Sequence, residues 1–199
     1  MIKIGLCGSS GSGKGYACRL LESYGVKWID TDLVYRELVT KGSPCLCELV
    51  SYFGKEILKE DGSLDRAVLS TKVFEGEGSK ARLDALNEIS HRHIKAKTLA
   101  LLEQYENEGC KAATIDAPVL FESGFDKLCD VTVCVTASYE TKIQRIIARD
   151  GISREKAVAR LNNQLSDSRL MELCTYSLDN SQGADIESQI AKLVSDLGL

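Results

Sequence analysis

The sequence predicts an α/β fold in which a parallel sheet is flanked by helices. Short apolar runs of strand length alternate along the chain with longer segments of helical periodicity. The first run, residues 2–6, leads through a glycine-rich loop and a helical pattern to a second run at residues 26–29. Two strands joined through a helix lie parallel, because the crossover returns the chain to the same end of the sheet.

The other elements follow from the same signals. Residues 131–135 are rich in β-branched side chains, as buried parallel strands are. Gly25 is expected to end the first helix in a left-handed conformation, and Ser153 is expected to cap a later one. Further strands are predicted at 112–115 and 177–179, and further helices at 139–149, 153–163 and 186–197.

Residues 40–110 show a different pattern of helical and turn signals. Short helical pieces are separated by turn signals at Gly42-Ser43-Pro44, Gly54 and Asp61-Gly62, and a long helical segment follows from about 79 to 108. No strong strand pattern occurs there. The sequence therefore predicts a mostly helical insertion at 40–110, packed beside the sheet within a single domain, 1–199.

Composition excludes several classes of protein. The 199 residues are 44% hydrophobic and 27% charged, with a net charge of −4, which argues against nucleic acid or an anionic membrane as the main partner. No apolar run reaches the length of a membrane span, and no signal peptide is expected. The eight cysteines form no CxxC pair, so we expect free thiols and a cytoplasmic protein. His91 and His93 are two apart and do not share a helix face, which argues against a paired metal site.

The glycine-rich loop reads Gly-Ser-Ser-Gly-Ser-Gly-Lys from residue 8 to residue 14. Glycines allow backbone angles that turn successive N–H groups inward around an anion. The helix that follows directs its positive end to the same place, and Lys14 adds a mobile ammonium for the β- and γ-phosphates. With a strand before it and a helix after it, this segment is typical of a P-loop, so the fold is predicted to be of the P-loop nucleoside-triphosphate hydrolase type.

The loop departs from the usual pattern at Gly15, where Ser or Thr would ligate Mg²⁺. Three alternatives stay open from the residues. The metal is held through waters or by Ser10, Ser12 or Asp116; its affinity is lower; or the protein binds nucleotide without turning it over.

A second candidate site follows the second strand, at Asp30-Thr31-Asp32. Ligands of open α/β sheets bind at the carboxyl ends of the strands, so a carboxylate here can orient an acceptor hydroxyl. Helix capping is an equally good interpretation. The guanine-recognition and switch motifs of GTPases, NKxD and DxxG, do not occur, which leaves small kinases and related transferases.

A series of short segments, taken in order, resembles the dephospho-coenzyme A kinase family. They are the loop at 8–14; Asp30, Asp32 and Arg36; Gly62, Leu64, Asp65, Arg66 and Leu69 with Val73 and Phe74; His91 and Ile94; Asp116, Pro118, Leu120, Phe121 and Glu122; Arg145, Arg149, Arg160 and 164–166; and Asp179 with Asn180. The chain departs from the family pattern at Gly15, Arg92, Val119, Lys142 and Cys174-Thr175.

The resemblance implies transfer of the ATP γ-phosphate to the 3′-hydroxyl of dephospho-coenzyme A, with ATP and Mg²⁺ as cofactors and no implied protein partner. It also implies that 40–110 binds the acceptor and that 139–166 forms a lid. The implied catalytic residues are Asp32 as base or orienting group, Lys14 and Arg145. The implied ATP-binding residues are Gly11, Ser12, Gly13, Lys14, Gly15, Tyr16, Arg149 and Asn180. The implied acceptor-binding residues are Asp32, Arg36, Arg66, His91 and Asp116, and Asp116 is also the expected Mg²⁺ ligand, through water.

Simpler interpretations remain for several of these residues. Arg66 can pair with Asp65 or cap a helix, and His91 can be a buried structural histidine. Surface charge is the simplest interpretation of Lys142, Glu155, Lys156 and Arg160. Two other functions also stay open: another P-loop small-molecule or nucleoside monophosphate kinase, and a catalytically impaired nucleotide-binding relative in which Gly15 has replaced the metal-binding hydroxyl.

Overall fold

The computed structural model describes all residues, 1–199. Strands and α-helices alternate at the start of the chain, four α-helices lie between β2 and β3, and three lie between β4 and β5. The elements, in chain order, are β1 (Ile2–Cys7), α1 (Lys14–Ser23), β2 (Lys27–Asp30), α2 (Thr31–Leu38), α3 (Pro44–Phe53), α4 (Arg66–Phe74), α5 (Ser79–Asn107), β3 (Ala112–Asp116), β4 (Val131–Thr136), α6 (Tyr139–Asp150), α7 (Arg154–Asn162), α8 (Asp167–Leu173), β5 (Tyr176–Asp179) and α9 (Ile186–Asp196).

The five strands form one sheet in the order β2-β3-β1-β4-β5. β1 lies parallel to both β3 and β4, and β4 lies parallel to β5. The predicted α/β class with a parallel sheet flanked by helices is therefore confirmed. Four of the strands are one residue longer than predicted, and β2 has the predicted length but begins and ends one residue later.

The register brings the carboxyl ends of the strands to one edge of the sheet. Leu6 near the end of β1 pairs with Asp116 at the end of β3, and Thr136 at the end of β4 pairs with Asp179 at the end of β5. The glycine-rich loop follows β1 directly. The edge where parallel sheets bind ligands thus carries the loop, Asp116 and the residues just after β5.

The core of the sheet region is apolar on the strands and on the helices that cover them. It contains Ile4, Leu6, Val133, Val135 and Leu178 from strands, Ala17, Cys18 and Leu21 from α1, and Ile190, Leu193 and Val194 from α9. Burying aliphatic side chains on this scale is the main term that stabilises the sheet, at roughly 1.5–3 kcal/mol for each large one.

The chain divides into two compact units. One comprises Met1–Ile29 and Leu102–Leu199, with the sheet; the other is Asp30–Leu101 and is mostly helical. The helical unit has its own apolar core, which includes Leu46, Leu49, Ile57 and Val73. Its only strand-like feature is an isolated antiparallel bridge between Leu58 and Leu64, closed by a turn in which Gly62 has a φ of +81°.

The ends of two helices agree with the sequence-based expectations. Gly25 has a φ of +82° directly after α1, and Ser153 accepts a hydrogen bond from Lys156 N as the cap of α7; both agree with the prediction. Helix α8 was not expected, because seven residues are too short to show a periodicity. None of the eight cysteines forms a disulfide, and four are buried: Cys7, Cys18, Cys45 and Cys134. None of the helices combines the length and the apolar character needed to cross a bilayer.

Candidate active site

The glycine-rich loop forms a tight turn between β1 and α1. Ser12 N donates to Ser9 O at 3.1 Å, and Gly11 and Gly13 have φ angles of +79° and +94°. Gly13 is the N-cap of α1, and no side chain caps that end of the helix. The positive end of α1 is therefore available to an anion held by the loop.

Two of the loop glycines are required by close neighbours as well as by backbone angles. A Cβ on Gly11 would lie 2.6 Å from the carbonyl oxygen of Lys142, and one on Gly13 would lie 2.1 Å from Asn180 Nδ2. Both distances are far below van der Waals contact. The loop can keep this shape only with glycine at these positions.

We predict that Gly11→Ala weakens ATP binding at least tenfold. The left-handed backbone costs an L-residue about 1–2 kcal/mol, and the new methyl group must displace either the loop or the backbone of α6. Isothermal titration with ATP measures the effect. The control is Gly25→Ala, since Gly25 has a similar φ of +82° but nothing within 4 Å; it should lose stability and keep its ATP affinity. Equal ATP affinities for the two variants would contradict the assignment.

Two side chains outside the loop, from α6 and from the residue after β5, form hydrogen bonds that hold the loop in place. Asn180, only 8% exposed, donates from Nδ2 to Ser12 O at 2.8 Å. The Arg145 guanidinium donates to Gly11 O, Ser12 O and Asn180 O at 3.3, 3.2 and 2.9 Å. The C=O and N–H of a trans peptide point in opposite directions. The bonds that hold Ser12 O therefore turn the Gly13 amide the other way, as an anion nest requires.

A cavity of about 330 Å³ lies over the loop and is lined by Ser9–Gly15 together with Arg145 and Arg149. Arg149 is largely exposed; it pairs with Asp150 at 2.7 Å and donates to Ser10 Oγ at 3.2 Å. Main-chain amides, a lysine and two guanidinium groups around one cavity are the chemistry that binds a polyphosphate.

Lys14 and Asp116 form the charged pair of the loop. Lys14 Nζ lies 3.5 Å from Asp116 Oδ1, and Asp116 is 8% exposed at the end of β3. The Cys18 thiol also donates to Asp116 Oδ2, at 3.8 Å. A buried carboxylate needs a nearby cation, so the pair fixes the position of the Lys14 ammonium.

The loop also contains a buried hydroxyl with no hydrogen-bond partner, Ser12 Oγ. A buried polar atom of this kind is rare in folded proteins and is expected where a ligand completes the bonding.

Gly15 stands at the position that usually carries the metal-binding hydroxyl, and a hydroxyl side chain would fit there. A Cβ at this position would meet only Arg19 at 3.9 Å and Trp28 at 4.0 Å. Tyr16, one of the implied ATP-binding residues, donates a hydrogen bond from its hydroxyl to Glu187 at 3.0 Å.

In the helical unit, Asp30 and Asp32 have different roles. Asp30 is the N-cap of α2 and accepts from Asp32 N at 2.9 Å and Leu33 N at 3.0 Å. The capping interpretation therefore applies to Asp30. Asp32 lies in the first turn of α2 with its side chain exposed, and Arg36 lies four residues later, also exposed. Residues four apart share a helix face, so the two form one polar surface on α2.

Arg66 and His91 also lie in the helical unit. The cap of α4 is Asp65, which accepts from Ala67 N at 3.0 Å, so Arg66 is not a cap; its guanidinium lies 5.8 Å from the centre of the Tyr35 ring, a cation–π contact. Burial lowers the pKa of His91, which favours the neutral imidazole. The neighbouring histidine, His93, forms a hydrogen bond between its Nε2 and Glu48 Oε2 at 2.9 Å.

The sequence-based interpretation of Lys142 as a surface charge is wrong. Lys142 is only 7% exposed, and its ammonium lies 2.7 Å from Asp167 Oδ2 and 3.1 Å from Ser9 Oγ. The available signal was its spacing, since Ile143 and Ile146 of the same helix are fully buried. Glu155 and Lys156 are exposed, as expected, and Arg160 pairs with Asp150 at the surface.

A phosphate loop with a paired lysine at the carboxyl edge of a five-stranded parallel sheet defines the class first: a P-loop kinase or related transferase. Residues 2–185 match the family described as dephospho-CoA kinase. A dephospho-CoA kinase of Corynebacterium glutamicum is 34% identical over 198 residues, which cover 99% of this chain and 98% of that protein. The chain belongs to the dephospho-CoA kinase family, and the family named from the sequence motifs is confirmed.

Solved structures agree with this assignment. A protein from Thermus thermophilus matches with a TM-score of 0.80 and 28% identity, covering 99% of this chain and 96% of that one. The dephospho-CoA kinase from Campylobacter jejuni matches with a TM-score of 0.71 and 25% identity, covering 98% and 96%. The similarity extends over both compact units of the chain.

Proposed function

We propose that this protein transfers the γ-phosphate of ATP to the 3′-hydroxyl of dephospho-coenzyme A, giving coenzyme A and ADP. The observation that carries the proposal is the phosphate loop with its Lys14–Asp116 pair, in a chain that matches the dephospho-CoA kinase family over residues 2–185. The reaction is inferred from the activity for which the family is named. The loop contains the residues that would hold ATP, the phosphate donor.

ATP is proposed to bind at loop residues 11–15, through the amides of residues 13–15 and the Lys14 ammonium, because Ser12 N already donates to Ser9 O. Phosphoryl transfer passes through a transition state whose charge spreads over the equatorial oxygens, so positioning and electrostatic stabilisation dominate its catalysis. Arg145 and Asn180 keep the loop carbonyls turned away. Arg149, at the rim of the cavity, is the proposed cation for the outer phosphate oxygens.

The acceptor is proposed to bind the helical unit, through the exposed polar surface of α2 and through Arg66 and His91. Asp32 is the proposed base or orienting group for the 3′-hydroxyl. Its exposure suits this role, because the carboxylate oxygens are accessible to an acceptor hydroxyl and can accept its proton. The half-buried His91 is proposed to donate or accept one hydrogen bond in neutral form.

Mg²⁺ is proposed as the metal, with Asp116 and Ser12 as the protein groups nearest to it. No group of three or more His, Cys, Asp or Glu side chains in the chain is arranged to hold a metal ion. Mg²⁺ is suited to such a site, because it keeps several waters and binds through one or two carboxylates together with phosphates. When bound, it neutralises charge on the β- and γ-phosphates.

We predict that Gly15→Ser lowers the Mg²⁺ concentration needed for half-maximal activity. The new hydroxyl has space at the start of α1 and would add an oxygen ligand of the kind Mg²⁺ prefers. Titration of Mg²⁺ at fixed ATP measures the change. Superimposable titration curves for the two proteins would show that residue 15 does not contribute to metal binding.

The segment 139–166 is proposed to act as a lid. Helices α6 and α7 pack on each other through Ile143, Ile146, Ala157 and Leu161. Because Arg145 of α6 is bonded to the loop, α7 is the part of this segment that is left to move over the site. Closing over the site would exclude water, which otherwise competes with the acceptor hydroxyl for the phosphoryl group. The cytoplasm, where thiols remain reduced, is the proposed compartment for a chain whose eight cysteines form no disulfide.

Incubation with dephospho-coenzyme A, ATP and Mg²⁺ tests the proposal. Mass spectrometry should show coenzyme A, one phosphoryl group heavier than the acceptor, in an amount equal to the ADP formed. A panel of nucleoside monophosphates and simple alcohols serves as the control and should remain unphosphorylated. Product from another acceptor alone would favour a different small-molecule kinase, and ATP binding without any transfer would favour the impaired relative.

A further inference from the structure

A closed triangle of hydrogen bonds lies at the start of the phosphate loop. The Lys142 ammonium donates to Asp167 Oδ2 at 2.7 Å and to Ser9 Oγ at 3.1 Å. Ser9 Oγ in turn donates to Asp167 Oδ1 at 2.9 Å. Two opposite charges and one hydroxyl thus satisfy one another in a site where an unpaired ammonium would be strongly disfavoured. We call these three residues the Lys142 triangle.

The triangle joins three elements of the sheet-containing unit. Lys142 belongs to α6, Asp167 is the first residue of α8, and Ser9 is the second residue of the loop. The backbone of α6 touches the loop as well, because the Lys142 carbonyl is the group that leaves no space for a Cβ on Gly11. The same lysine therefore contacts the loop through its main chain and through its ammonium.

Ser9 passes this constraint to the rest of the loop. Its carbonyl accepts from Ser12 N at 3.1 Å in the turn that gives the loop its shape. The next amide, Ser10 N, donates to Gln164 Oε1 at 2.9 Å. With the side chain of Ser9 fixed by the triangle and its carbonyl fixed by the turn, the peptide at the start of the loop has one orientation.

We propose that Lys142 is a positioning residue for ATP, which acts through Ser9 and Asp167 to preset the phosphate loop. The proposal rests on the function proposed above and adds a residue to it. A loop that is already ordered loses less conformational entropy when the phosphates bind, so the triangle contributes to affinity without contacting the ligand. Binding of the acceptor is not expected to depend on it.

The test compares Lys142→Met with Lys156→Met, the same change at an exposed lysine of α7. Titration calorimetry is expected to show that Lys142→Met weakens ATP binding about tenfold, in line with the entropic cost of ordering a loop segment on binding. Its affinity for dephospho-coenzyme A should equal that of the wild type. Lys156→Met should bind both ligands as the wild type does.

Two further variants separate positioning from folding, because Lys142→Met leaves Asp167 without its cation. Ser9→Ala keeps the ion pair and removes its link to the loop. It should lose less thermal stability than Lys142→Met and still lose ATP affinity. The double variant Lys142→Gln with Asp167→Asn restores a neutral hydrogen-bonded pair and should recover most of the affinity. ATP affinity within about twofold of the wild type for a folded Ser9→Ala and a folded Lys142→Met would overturn the proposal.

Failure of the proposed function would look different. If the wild type binds ATP but does not phosphorylate dephospho-coenzyme A, the proposed reaction is rejected while the ATP titrations still decide the role of Lys142. If the wild type is active and only the melting temperature of the variants changes, Lys142 is structural and the positioning role is rejected.

Discussion

Asp32→Asn is expected to lower turnover by about 10²–10⁴-fold, the usual cost of losing a general base, while ATP binding stays nearly intact. Asn keeps the shape of the side chain but cannot accept a proton from the acceptor hydroxyl. The local fold should persist, because Asp30, not Asp32, caps α2. Steady-state kinetics with dephospho-coenzyme A, together with calorimetric titration of ATP, measures both quantities.

The matched control for this variant is Glu37→Gln. Glu37 is an exposed carboxylate on the same helix, and the chemical change from carboxylate to amide is the same. Its turnover should equal that of the wild type. Turnover of Asp32→Asn that remained at the wild-type level would remove Asp32 from the reaction and leave it as a surface residue of α2.

Lys14→Ala is expected to weaken ATP binding by roughly 10²-fold, since each hydrogen bond from a charged donor contributes about 1.5–3 kcal/mol. The variant also leaves Asp116 without the ammonium at 3.5 Å, and this buried carboxylate would then repel the phosphates. Both effects act in the same direction on ATP affinity. Calorimetric titration with ATP measures the loss directly.

Two controls separate these contributions. Lys192→Ala removes an exposed lysine on α9 and should leave ATP affinity unchanged. The double variant Lys14→Ala with Asp116→Asn removes the negative charge of Asp116. Titrated with ATP in the absence of Mg²⁺, it should recover the part of the affinity that Lys14→Ala loses through repulsion of the phosphates. ATP binding by Lys14→Ala as tight as that of the wild type would contradict the assignment of the loop.

The elements that the sequence predicted well are those with strong local signals. The loop was predictable because positive φ angles select glycine at residues 11 and 13, and because a lysine follows directly. The β4 strand was predictable from a run of β-branched residues. Helix α8 was not, since its seven residues bury only Leu170 and show no periodic pattern.

The contacts that give Lys142 its environment could not be predicted from its neighbours in sequence. A buried lysine depends on Asp167, which is 25 residues away, and on the loop residue Ser9, which is 133 residues away. Composition and periodicity describe one element at a time, whereas burial of a charge is decided by which elements meet. For the same reason, Arg145 can be identified as a site residue from the sequence, but the loop carbonyls to which it donates cannot.

In the proposed mechanism, the loop amides and Lys14 hold the phosphates of ATP for transfer to the acceptor hydroxyl that Asp32 orients. A crystal structure of the complex with a non-hydrolysable ATP analogue and dephospho-coenzyme A tests it most directly. The β- and γ-phosphates should accept hydrogen bonds from the amides of residues 13–15 and from Lys14 Nζ, with the acceptor 3′-hydroxyl bonded to the Asp32 carboxylate. Phosphates bound away from the loop, or a 3′-hydroxyl out of reach of Asp32, would contradict it.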